Sequence, residues 1–120
     1  MRKVLIVEDE PFFQDFLYKL FDHLQLLPEV VSNGEEALEA LQQKRFDLIV
    51  TDIKMPKMDG IELLKRIREK GDKTPVVVVT GFIPLSNRKM ILNMGADAFL
   101  TKPFNISEFT NTISKLGVLK

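Results

Sequence analysis

The chain predicts an α/β fold: a doubly wound, parallel, five-stranded sheet of (βα)5 construction. Three observations carry that prediction. Short unbroken apolar runs recur at Val4-Leu5-Ile6-Val7, Leu48-Ile49-Val50 and Val76-Val77-Val78-Val79, as suits strands buried on both faces. Between them lie segments whose apolar residues repeat at the i, i+3, i+4 spacing of a helix. Prolines, glycines and capping residues separate the two patterns, so strand and helix alternate five times. Such alternation implies a parallel sheet covered on both faces, with right-handed crossovers.

The first strand reads as Lys3 to Val7, ended by Glu8-Asp9-Glu10-Pro11. Pro11 suits the first turn of a helix, and acidic residues there complement the helix dipole. That helix carries a stripe of Phe13, Phe16, Leu17, Leu20, Leu24 and Leu27, with Pro28 expected to stop it. The lone histidine, His23, falls within it and reads as a helix-side residue, since a histidine metal site normally recruits others. Glu29 to Ser32 is a short second strand. Asn33 then caps a second helix, with Glu36 at its third position and Ala37, Leu38, Ala40 and Leu41 following.

The third strand, Leu48 to Val50, runs into Asp52 and a loop punctuated by Pro56 and Gly60. Asp59 caps the third helix, whose Ile61, Leu64 and Ile67 face inward until Gly71 stops it. Pro75 to Thr80 forms the fourth strand, the most β-prone run in the chain. Gly81-Phe82-Ile83-Pro84-Leu85 reads as an apolar loop, followed by a fourth helix from about Ser86 to Met94 that closes at Gly95. Asp97 to Thr101 is the fifth strand. Lys102-Pro103 turns the chain, and Asn105 begins a last helix with Ile106, Phe109, Ile113 and Leu116 inward.

Composition narrows the function classes. The 120 residues suit one domain with a single sizeable core. Seventeen basic residues balance seventeen acidic ones, so net charge advertises neither nucleic acid nor an anionic membrane. Without cysteine there is no disulfide, thiolate chemistry or thiolate-bound metal. No apolar run approaches the ~20 residues of a membrane span, and the short start, Met1-Arg2-Lys3, is no signal peptide. The expected location is cytoplasmic.

Parallel strands share one direction, so Glu8 and Asp9, Asp52, Thr80 and Lys102 all fall on the carboxyl edge of the sheet, where ligand chemistry collects in open α/β folds. Each has an ordinary reading when taken alone. The acidic residues fit a helix N-terminus, Asp52 a loop cap, Thr80 a strand-end β-former and Lys102 a solvated charge; Met55 and Met58 fit core filling. Their joint occurrence at successive strand ends favours a shared site. Crowded carboxylates repel one another, which an oxygen-seeking dication such as Mg²⁺ relieves. A lysine and a hydroxyl beside them can stabilise phosphoryl oxygens. The constellation describes metal-assisted phosphoryl transfer to Asp52.

Glu8-Asp9, Asp52 with Met55-Pro56 and Asp59-Gly60, Thr80, Gly95-Ala96-Asp97 and Lys102-Pro103-Phe104 occur in this order. In that ordered set the chain resembles the receiver domain of a two-component response regulator, from Lys3 to about Leu116. The resemblance implies the flavodoxin-like strand order 2-1-3-4-5, of which a member of this family is a standard example. It implies that Asp52 is the phosphoacceptor, taking its phosphoryl group from a sensor histidine kinase or histidine phosphotransfer protein. It further implies that Mg²⁺ (or Mn²⁺) is held by Asp9, Asp52, the backbone carbonyl of Lys54, and Glu8 directly or through water. Thr80 and Lys102 would hold phosphoryl oxygens, and Phe99 would report the phosphorylation state.

The same resemblance makes the Lys102-Pro103 bond cis, and it places the Lys54 and Phe82 side chains beside the route of the hydrolytic water. The face of the fourth helix, fifth strand and fifth helix would meet a downstream protein. A signalling switch is then expected, with no direct nucleic-acid or membrane partner and no enzyme activity beyond its own aspartyl phosphorylation and dephosphorylation. The domain is expected over residues 1–120, either free-standing or part of a longer regulator. Two positions depart from the usual pattern: Glu8 stands where Asp is also common, and Gly81 where Ala is usual. Two rival classes share parts of this pattern. A flavodoxin-like carrier would have its flavin phosphate repelled by Glu8-Asp9-Glu10. A haloacid-dehalogenase-like phosphohydrolase needs a second Asp where Lys54 stands.

Overall fold

The computed structural model describes residues 2–81 and 84–118. Its elements alternate without exception: β1 (Lys3–Val7), α1 (Pro11–His23), β2 (Leu27–Val31), α2 (Gly34–Gln43), β3 (Leu48–Thr51), α3 (Gly60–Glu69), β4 (Val76–Thr80), α4 (Leu85–Asn93), β5 (Ala98–Thr101) and α5 (Ile106–Lys115). The strands form one sheet in the order β2-β1-β3-β4-β5, and every pairing is parallel. This is the expected order. The three central strands are almost wholly buried, whereas β2 and β5, at the edges, are mostly half-buried.

Alternation along the strands divides the core in two. Leu5, Val7, Ile49, Val76 and Val78 point to one face, where Ala37 and Ala40 of α2, Leu63, Leu64 and Ile67 of α3, and Ile91 of α4 cover them. Val4, Ile6, Leu48, Val50, Val77 and Val79 point to the other, under Leu17 and Phe21 of α1 and Phe109 and Ile113 of α5. Burying each of the Val, Leu, Ile and Phe side chains contributes about 1.5–3 kcal/mol, which is why the strands are unbroken apolar runs. Every strand then has to end where polar groups reach water, and parallel pairing puts those ends together.

The caps follow the sequence closely. The Asn33 carboxamide accepts the Glu36 amide at 2.9 Å while Glu36 reaches back to the Ser32 amide at 2.7 Å. Asp59 and Asn105 accept the amides of Glu62 and Glu108 at 2.8 and 2.7 Å. Gly71 and Gly95 close α3 and α4 at φ 80° and 114°, a left-handed conformation that glycine adopts without a side-chain penalty.

The end of α1 differs from expectation. Pro28 does not stop it, and Leu24 and Leu27 are not helical. The helix closes at His23, with Gln25 at φ 63° and the Leu26 amide bonded back to the Phe21 carbonyl at 3.0 Å. β2 accordingly begins at Leu27, not Glu29. Pro28 is tolerated within it because β2 is an edge strand, where a missing ladder donor costs little. Leu85, read as loop, begins α4.

Candidate functional site

The carboxyl ends of β1, β3 and β5 bring four charged side chains together. Carboxylate oxygens of Glu8, Asp9 and Asp52 lie within 4.8 Å of one another. Lys102 Nζ donates to Glu8 Oε1 at 3.0 Å and to Asp52 Oδ2 at 3.1 Å, joining positions 94 and 50 residues away in the chain. Glu8 is 2% exposed and the Asp52 side chain 12%, whereas Asp9 faces solvent.

Each group is oriented by its backbone surroundings. The amide of Asp52 donates to the Val7 carbonyl at 3.1 Å and that of Glu8 to Val31 at 3.1 Å, extending the sheet ladder by one residue on both strands. The other Asp52 oxygen, Oδ1, accepts the Ile53 amide at 2.6 Å. Thr51 Oγ1 donates to the Asp52 carbonyl at 2.8 Å. Glu8 Oε2 accepts the Glu10 amide at 3.1 Å, and Gln14 donates to the Glu8 carbonyl. Glu10 meanwhile caps α1, accepting the amides of Phe12 and Phe13 at 3.1 and 2.6 Å.

The electrostatics set burial against pairing. Burial, first of all, pushes the Glu8 carboxyl above its ordinary value; the negative charge of Asp52 adds to this, while the Glu10 amide and Lys102 oppose it. Burial works against the Lys102 charge as well. There, however, the hydrogen bonds and charges of Glu8 and Asp52 outweigh it, so Lys102 is held above the usual lysine range and stays cationic. The cluster keeps a surplus of negative charge. Its donor set, oxygen-only with no histidine or cysteine, fits a hard dication such as Mg²⁺. A cleft of about 460 Å³ opens beside it, lined by Asp9, Ile53, Lys54, Met55 and Asp59.

The remaining expected residues lie around this centre. Thr80 is buried at the end of β4, and its carbonyl accepts the Lys102 amide at 2.6 Å. Phe99 sits opposite Val78 on β5, half-buried against the α2–α3 side of the core, with the Arg88 guanidinium 5.5 Å above its ring. Lys54 is exposed at the cleft. The Lys102-Pro103 peptide is cis. The expectation for Phe82 lies outside the described residues.

Two contacts at the site are not legible in the sequence. Gly60 packs so closely beneath the acidic loop that a Cβ there would lie 2.0 Å from the Asp52 carbonyl oxygen. Phe13 places its ring 4.0 Å from Lys102 Nζ. Along the sequence Gly60 stands as a loop break and as part of the Asp59-Gly60 pair, with no sign of its closeness to Asp52, and Phe13 only as part of an apolar stripe.

The sequence pattern of the response regulator receiver domain matches residues 4–114. The chain belongs to this family. Receiver domains are signalling domains phosphorylated by histidine kinases, and they bind Mg²⁺ in an acidic site. The chain is 34% identical over 116 residues to the transcriptional regulatory protein CiaR of Streptococcus pneumoniae, covering 97% of itself and 51% of that protein. A Francisella response regulator receiver domain superposes with a TM-score of 0.91 at 34% identity, covering 97% and 96% of the two chains. The response regulator TrrA of Thermotoga maritima, solved in complex with Mg²⁺-BeF, superposes with a TM-score of 0.87 at 29% identity, covering 97% and 99%. The receiver spans between 30% and about half of the length of the curated relatives it matches. Among the described residues no helix is long and apolar enough to cross a membrane.

Proposed function

We propose that Asp52 accepts a phosphoryl group from a phosphohistidine on a sensor histidine kinase or histidine phosphotransfer protein, with Mg²⁺ (or Mn²⁺) as cofactor. The domain occupies residues 1–120 and acts in the cytoplasm as a switch on a downstream protein. The observation that carries this reading is the cluster itself: three carboxylates within 4.8 Å at one sheet edge, with Lys102 bonded to two of them. The Mg²⁺-BeF complex of the Thermotoga relative supports it, since beryllofluoride mimics a phosphoryl group on a carboxylate.

Asp52 is the nucleophile. One of its oxygens forms the new P–O bond as the N–P bond breaks. The electron pair of that bond stays with the donor imidazole, which a proton on its other nitrogen leaves neutral. Glu8, Asp9, Asp52 and the Lys54 backbone carbonyl would hold the metal, which when bound neutralises charge on the phosphoryl oxygens. Lys102 exchanges its bond to Asp52 Oδ2 for one to a phosphoryl oxygen, a charge-assisted contact that grows as charge develops. Thr80 offers its hydroxyl to another. The movement of Thr80 frees space for Phe99 and so alters the α4-β5-α5 face, where the partner docks. Lys54 cannot serve as a base while protonated, so the chain catalyses only its own phosphorylation and dephosphorylation and does not turn over outside substrates.

The test is intact-protein mass spectrometry after incubation with acetyl phosphate. One added phosphoryl group is expected with Mg²⁺, and none in Asp52→Asn or in chelator. An adduct that forms in chelator, or that survives the substitution, overturns the assignment.

A further inference from the structure

We propose that Phe13 is a positioning residue for the phosphoryl-transfer reaction: its ring face holds the Lys102 ammonium in place between Glu8 and Asp52. The inference rests on the proposed role of Lys102 and deepens it. A lysine ammonium has three hydrogens and no acceptor. Two point at carboxylates, Glu8 Oε1 at 3.0 Å and Asp52 Oδ2 at 3.1 Å. The remaining side of the nitrogen faces the Phe13 ring, whose centroid lies 4.0 Å away. That is well inside the ~6 Å over which an aromatic quadrupole attracts a cation. The ammonium therefore has three partners within the protein, two carboxylates and a ring face, although a quarter of its side chain stays open to solvent.

The ring that holds it is itself held. Phe13 meets Phe16 at 5.5 Å and Phe104 edge-on at 6.0 Å. Phe104 stacks on Phe109 at 5.7 Å, and Phe109 meets Phe21 at 5.0 Å. Phe109 and Phe21 are fully buried. A continuous chain of four rings, Phe21, Phe109, Phe104 and Phe13, with Phe16 packed beside it, thus runs from the core between α1 and α5 out to the ammonium of the site. Such support is what fixes a functional group to within the tolerance that chemistry demands. A flexible four-carbon lysine stem otherwise spends part of its time in water, and the rate falls by the fraction of time it is away.

The experiment compares Phe13→Leu and Phe13→Met, which remove the ring, with Phe13→Tyr, which keeps it. The first readout is the side-chain NMR signals of Lys102, which a ring face shifts upfield. The shift is expected in wild type and Phe13→Tyr and lost in both aliphatic variants. The second is the rate of Asp52 phosphorylation by acetyl phosphate at saturating Mg²⁺. Both aliphatic variants should be slower by roughly two- to thirty-fold, the rate equivalent of a cation–π contact, with Phe13→Tyr within about twofold of wild type. A wild-type rate in both aliphatic variants overturns the proposal, and so does an unshifted Lys102 signal in wild type or a loss of rate in Phe13→Tyr equal to that of Phe13→Leu. Failure of the wild type to take up phosphate is a different result, which refutes the phosphoacceptor reading and leaves the ring contact to the NMR measurement.

Discussion

Replacing Gly60 by alanine should damage the site from beneath. Gly60 is the first residue of α3, and its amide bonds to the Ile53 carbonyl at 2.8 Å. An added Cβ would stand 2.0 Å from the Asp52 carbonyl oxygen, 2.9 Å from the Asp52 carbonyl carbon and 3.0 Å from the Ile53 Cα. All three are backbone atoms, so no side chain can swing aside, and the Asp52-Ile53 peptide must retreat by about 1 Å to restore a tolerable contact. Two energies compete. Alanine favours a helix interior over glycine by about 0.8–1.0 kcal/mol, less in a first turn, whereas forcing atoms into a close-packed site costs about 1–3 kcal/mol or more. The collision wins, so the expected net loss is about 1–2 kcal/mol.

The larger effect falls on chemistry. The displaced peptide carries the Ile53 amide that orients Asp52 Oδ1 at 2.6 Å, and a misplacement of ~1 Å can cost ~10²-fold in rate. Urea unfolding monitored by circular dichroism measures the first loss, and the phosphorylation rate with acetyl phosphate the second. Gly34→Ala is the comparison, because its Cβ would crowd the Cβ, Cγ and Sδ of Met58 at 2.8–2.9 Å, with no atom of the Asp52-Ile53 peptide among its nearest neighbours. It should be much closer to wild type in phosphorylation. If Gly60→Ala unfolds at the wild-type urea concentration and is phosphorylated at the wild-type rate, the close approach is not what the glycine is for.

Three other outcomes follow from the geometry. Glu8 is held above its usual carboxyl range by burial first, so the folded state binds that proton more tightly than the unfolded one. Stability therefore falls as pH rises from the unfolded value of 4.5 through the folded one. Without metal, the melting temperature of Glu8→Gln should gain on that of wild type across this window and then hold its lead; a constant difference over pH 4–8 contradicts this. Arg68 uses all five of its N–H donors, on the carbonyls of Gly95, Asp72 and Thr74 and on Asp97. Lysine cannot reproduce that fork, so Arg68→Lys should lose about 1–3 kcal/mol in urea unfolding while Asp52 is still phosphorylated; a change below ~0.5 kcal/mol would show the network to be idle. Adding Mg²⁺ and beryllofluoride should shift backbone amides from Thr80 at the end of β4 through Met90 of α4 to Phe99 of β5 and Lys102 just beyond it, and shifts confined to the Asp52 loop would refute the coupling.

Much of this protein is legible along the chain because its period is simple. Buried parallel strands must be continuously apolar, helices must carry a stripe, and strands in one direction must end on one edge. Those three facts place Glu8, Asp9, Asp52, Thr80 and Lys102 together before any coordinate is known. Asn33, Asp59 and Asn105 announce their helices because a cap is a contact within one turn. Where a decision depended on distant neighbours, the local pattern misled: Leu24 and Leu27 continue the stripe of α1, but the helix ends at His23 and the chain turns at Gln25, so that Leu27 can pair with Lys3. Pro28 looks like a helix stop until β2 is known to be an edge strand.

What only tertiary structure decided are the contacts across the chain. The spacing of Phe13 gives it a place on the core face of α1; only the packing of α1 beside the β5–α5 turn sets its ring against Lys102. Gly60 is needed for the space beneath a carbonyl eight residues earlier, not for its own conformation. Arg68 gathers carbonyls from the ends of α3 and α4 that no periodicity connects. Periodicity reports which way a side chain points, whereas the identity of what it meets depends on how five helices settle on one sheet.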